Sequence, residues 1–169
     1  IKHIGGQEGL DNFEKLKKQM SNYTESIERN FQNINNIIHT AFWDNIKEEL
    51  SKENMNVIIP LLDDLKKMLK QCVPNRGDLH NQLDSNIDTA HIKDMIKNKV
   101  IDNFFIRTIS LYIFNFVEQF QSSSDDKETR KIKESLILQF DGGMLYKDYF
   151  PEFFKHVFLM TEKILKESE

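Results

Sequence analysis

NFFIRTISLYIFNFVEQF, residues 103–120, is apolar nearly all the way round a helix. A helix of that kind belongs in a protein core or in a membrane. This one is at the short end for a span, and Arg107, Asn115 and Glu118 would have to lie in hydrocarbon. It therefore reads as a central core helix, and the flanking sequence must supply the elements that cover it.

Downstream, Ser122 to Asp126 form a polar break with capping residues. A charged helix follows, with Ile132, Leu136, Ile137 and Phe140 on its apolar face, and Asp141-Gly142-Gly143 stops it. The last helix is expected over about Tyr146 to Lys166. Phe150, Phe153, Phe154, Val157, Phe158 and Ile164 share its broad apolar face, with Pro151 near its start.

Upstream, Val57, Ile58, Leu61, Leu62, Leu65 and Leu69 recur at helical spacing, with Pro60 in the first turn. That helix must end near Cys72-Val73, because Pro74 disfavours helix in the residue before it. Asp78 to Ile87 predicts a short helix, and Asp88 an N-cap for another. A helix over Phe42 to Ser51 precedes them. Three prolines and six glycines are few, and no segment alternates with period two. The fold class is all-α, an antiparallel multi-helix bundle or a short HEAT-like helical array.

Residues 1–10 read as a flexible tail and residues 11–169 as a single helical domain. Within it, residues 11–38 form a long amphipathic helix and residues 39–169 the core. In the long helix Phe13, Leu16, Met20, Tyr23, Ile27, Ile34 and Ile38 are spaced by three, four or seven, a heptad-like stripe. Asn30 interrupts it and Phe31 sits beside it. The stripe is either a face packed on its own domain or a seam for a partner helix, including one from a second copy of the chain. Phe13, Leu16, Met20, Tyr23 and Ile27 are its candidate partner-binding residues.

Candidate chemistry is sparse. The net charge of −4 argues against a dedicated nucleic-acid binder. Lys66, Lys67, Lys70 and Arg76 make the best basic cluster, either an ordinary solvated face or the place where an acidic partner or an RNA backbone would bind. Cys72, the single cysteine, follows an apolar helix and reads as a small buried hydrophobe rather than a nucleophile for His80. The five histidines show no metal-ligand spacing, and neither glycine pair makes a phosphate loop. No catalytic residue, cofactor or metal is expected. Arg76-Gly77-Asp78 spells a cell-adhesion tripeptide without any extracellular signature around it. With one cysteine and no signal peptide, a cytoplasmic location is expected. The abundance of Asn, Ile and Lys fits an AT-rich coding genome, as in some protists and large DNA viruses.

The order of segments resembles a known family. Ala41-Phe42-Trp43-Asp44-Asn45-Ile46-Lys47-Glu48-Glu49-Leu50 is similar to the signature opening the conserved region of the t-complex protein 11 family. Leu61 to Leu69, Val73-Pro74-Asn75-Arg76 with Leu79, and Ile87-Asp88 with Ile92 resemble the segments that follow. The likeness runs from about His39 to Tyr112. Gln119 to Asp126, QFQSSSDD, departs from the family's Cys-Ala-Pro-x-Arg-Asp-type stretch. The resemblance implies a non-enzymatic helical regulatory protein, linked to cyclic-AMP and protein-kinase-A signalling, with no catalytic residues to carry over. The alternative is a helical adaptor in RNA or translation-initiation machinery.

Phe42 and Trp43 are expected to be structural anchors. With Ile46 and Leu50 they place bulky groups at or beside i, i+4 and i+8, which is a core face.

Overall fold

A computed structural model describes residues 6–168. It contains seven α-helices among the described residues: α1 (Gly6–Ser51), α2 (Ile58–Cys72), α3 (Gly77–Asn86), α4 (Thr89–Lys97), α5 (Asn103–Phe120), α6 (Asp126–Asp141) and α7 (Tyr146–Glu167). Short 3-10 turns cover Met55–Val57 and Ser123–Asp125. The fold is an all-α helical bundle.

The chain divides into two compact units, Ile1–Asp44 and Asn45–Glu169. The first consists of α1 up to Asp44. The second holds the end of α1 and the remaining helices. Within the second unit α7 packs against α2, α5 and α6, α5 packs on α6, and α2 also carries α3 and α4. Its core is aliphatic on α2, with Leu65 and Leu69 fully buried, and aromatic on α7. There Phe153 meets Phe114 of α5 edge-on at 5.3 Å, and Tyr149 lies 4.5 Å from Phe140 of α6. Such ring pairs add to the stabilisation from area burial.

α5 matches its sequence reading from end to end. Asp102 accepts from the Phe105 amide at 2.9 Å and so caps its start. Ile106, Ile113, Phe114 and Val117 are buried, while Phe104 on the same helix is 78% exposed. No helix among the described residues is long and apolar enough to cross a membrane. Asp88 caps α4, accepting from the His91 amide at 3.1 Å. Gly143, at φ 101°, takes the left-handed turn after α6.

Four readings are corrected. α1 is one 46-residue helix, not two: residues 39–41, His-Thr-Ala, contain neither proline nor glycine to interrupt its hydrogen-bond ladder. The helix also begins at Gly6, inside the expected tail, while residues 1–5 lie outside the described residues. Pro151 is the sixth residue of α7 rather than part of its first turn, and its ring is buried. Burial in the anchor segment is carried by Ile46 and Leu50, both 6% exposed. Phe42 is 45% exposed and Trp43 half-buried, their rings packed edge-on at 5.0 Å. Phe42 shares the i, i+4 line of Ile46 and Leu50, so helical spacing alone does not bury it.

Candidate protein-interaction surface

Residues 11–40 contain no proline and no glycine, so nothing breaks α1. Asp11 with Lys15, Glu14 with Lys18, and Glu25 with Arg29 stand four apart with the acid N-terminal, the favourable order on a helix surface. These charges occupy one side. The other side carries Phe13 (63% exposed), Leu16, Met20, Tyr23 and Ile27, the last 37% exposed. Phe31, Ile34, Ile37 and Ile38 continue the same surface and are also exposed. The structure thus brings the five partner-binding candidates of this helix together on one face and adds Phe31 and Ile37. Ile37 is missed by a stripe that skips from Ile34 to Ile38. Counting seven from Tyr23 through Asn30 finds it.

An apolar stretch of this extent exceeds what isolated surface residues account for. It has the geometry of a helix-docking seam. The side chains recur at three and four residues and lie in a line over about seven turns.

The basic cluster behaves differently. Lys70 Nζ donates to Asp84 Oδ1 at 2.7 Å, and Lys66 Nζ lies 3.4 Å from the same oxygen. Lys66 also donates to the Ile87 carbonyl at 3.0 Å. These bonds tie α2 to α3 and hold the Asp84 carboxyl below the usual carboxylate range. Arg76 forms a two-point pair with Asp78 at 3.0 and 2.9 Å, which pulls that carboxyl down to about 2. The adhesion-like tripeptide therefore has its two charges on each other. Lys66, Lys70 and Arg76 neutralise local acids instead of forming one open cationic face; Lys67 is exposed.

Cys72 and His80 are not a catalytic couple in this geometry. His80 Nε2 donates to the carbonyls of Val73 at 2.9 Å and Lys70 at 3.1 Å, closing the C-terminus of α2. Half-burial pushes the Cys72 thiol up to about 11, which keeps it protonated at neutral pH. Among the described residues no three His, Cys, Asp or Glu side chains converge as a metal site. A groove of about 390 Å³ lies between α6 and α7, lined by Thr129, Ile132, His156, Leu159, Met160 and Lys163.

No curated protein and no solved structure matches the chain significantly. The family model described as T-complex protein 11 matches residues 15–140. That region begins at Lys15, well before the His39 at which the likeness is first legible. It runs past Tyr112 to the end of α6. It therefore takes in nearly all of the apolar seam of α1, the departing QFQSSSDD stretch and α6. A match over so much of its length places this chain in the T-complex protein 11 family.

Proposed function

We propose that this chain is a protein-interaction module in which the apolar seam of α1 docks a helix of a protein partner. The observation that carries the reading is the exposed row from Phe13 to Ile38 on one continuous helix. Helix-to-helix recognition uses this pattern of anchors at i, i+3, i+4 and i+7. Family membership suggests a non-enzymatic protein, which agrees with a role in binding. The signalling link implied by the family resemblance supplies a class of candidates, protein-kinase-A subunits and their regulators, and the cytoplasm as the place to look.

The test is comparative capture from native cells with the unaltered chain and with a Met20→Lys/Ile34→Lys variant. Both substitutions lie on exposed positions of α1, so folding of the second unit should be unaffected. The docking reading expects a defined set of proteins to be lost with the variant while its melting curve is unchanged. Identical captured sets from the two chains would end it.

A further inference from the structure

Which helix fills the seam is decided by its flanks. With Phe13 at heptad position a, α1 places Phe13, Met20, Ile27, Ile34 and Ala41 at a, and Leu16, Tyr23, Asn30 and Ile37 at d. The flanking positions choose partners through charge. Here g holds Asn12, Gln19, Ser26, Asn33 and Thr40, and e holds Lys17, Thr24, Phe31 and Ile38. The other charges from Asp11 to Arg29 fall at b, c and f, away from the seam. A partner with charged flanks would find one lysine to answer. A second copy meets no like charge, because in a parallel pair Lys17 faces Asn12 of the other copy.

Asn30 sets direction and register. It is the one polar residue at d between Leu16 and Ile37. Parallel and in register, it faces Asn30 of the second copy, and an amide can both donate and accept. An antiparallel pair sets a against d. That puts Asn30 against Ile27 twice, with two covered amides lacking partners, and Phe13 against Asp44. A slip of one heptad sets one Asn30 against Tyr23 and the other against Ile37. Only the parallel, unshifted pair satisfies it.

Area and charge agree. The exposed apolar side chains from Phe13 to Ile38 present about 1,000 Å² per copy, so covering two seams reaches the size of a stable protein interface. A lipid surface is the poorer occupant. Between Asp11 and Asp44 the helix has Lys15, Lys17, Lys18 and Arg29 against Asp11, Glu14, Glu25, Glu28 and Asp44, leaving no positive excess for anionic headgroups.

We infer that the seam is occupied by α1 of a second copy of this chain, parallel and in register, with Asn30 paired to Asn30 across the two-fold axis. This rests on the reading of the seam as a helix-docking surface. The experiment is light scattering on the whole chain at micromolar concentration, followed by disulfide trapping in a Cys72→Ser background. The expected mass is twice the 20.0 kDa of the chain, falling to the monomer mass in Met20→Lys/Ile34→Lys. Ile37→Cys is expected to cross-link to itself. Cross-linking only between Ile37→Cys and Met20→Cys chains would show an antiparallel pair and overturn the assignment. So would a monomer, or a monomer that binds phosphatidylserine vesicles through the seam. A monomer whose captured partners still depend on Met20 and Ile34 would overturn self-pairing alone and leave the docking surface standing. Loss of that dependence as well would remove both.

Discussion

Tyr149 carries a phenolic hydroxyl into the core of the second unit and donates it to Ser110 Oγ of α5 at 2.7 Å. Neither residue has more than 1% of its surface exposed. Tyr149→Phe keeps the ring packing but removes the donor, and it should cost about 1–2 kcal/mol in chemical denaturation. Adding Ser110→Ala should recover part of that loss, since the orphaned oxygen goes too. Burial pushes the Tyr149 hydroxyl up to about 12, and the negative charge of Asp141 works in the same direction. The unfolded chain releases this proton near pH 10 and the folded chain near 12. This contribution is therefore complete below pH 10 and is lost as pH rises from about 10 to about 12. Stability of the Tyr149→Phe variant should fall less steeply across that window. Trp43 and Phe42 show the opposite case at this scale. Phe42 is 45% exposed and Trp43 half-buried, their rings packed on each other.

Three of the helices end by a shared device. After α1, α4 and α6 the chain turns through a left-handed residue and returns two amides to the last turn. At α4 the Lys99 and Val100 amides donate to the Ile96 and Met95 carbonyls, at 3.1 and 3.0 Å. At α6 a glycine, Gly143, holds the turn, whereas Glu53 after α1 and Lys99 after α4 hold φ of 64° and 56° with a β-carbon present. A side chain is strained there, and Lys99 is exposed with no packing to lose. Lys99→Gly should therefore stabilise the fold by about 0.5–1 kcal/mol, measured as a raised denaturation midpoint without a change in slope. A destabilised variant would mean that Lys99 contributes more than its backbone. Gly143 was readable as a stop signal because glycine advertises left-handed backbone. Glu53 and Lys99 carry no such mark, and their turns emerge only from the helix ends that demand them.

For the molecule as a whole, the chain has two units whose stabilities should separate. The described core residues all lie between Ile46 and Ile164, and the first unit ends at Asp44. Deleting residues 1–38 should leave a cooperative melting transition within a few degrees of the full chain. If self-pairing holds, it should also abolish dimerisation. Loss of the transition on deletion would instead make the long helix part of the core.

The sequence by itself determined that the chain is all-helical and where nearly every helix after Ser51 begins and ends. Those are local matters: the spacing of apolar residues, Pro74 after α2, Asp88 before α4, and the glycines after α6. It also picked out the α1 stripe as an apolar face. Only tertiary structure decided which apolar faces are covered. The faces of α1 and α7 are both rich in large apolar side chains, yet α7 is enclosed by α2, α5 and α6 while Phe13 to Ile38 remain exposed. It decided as well that Lys66 and Lys70 meet Asp84, and that Tyr149 meets Ser110. Periodicity fixes the direction in which a side chain leaves its own helix. Burial and pairing depend on what another, distant segment brings to that place.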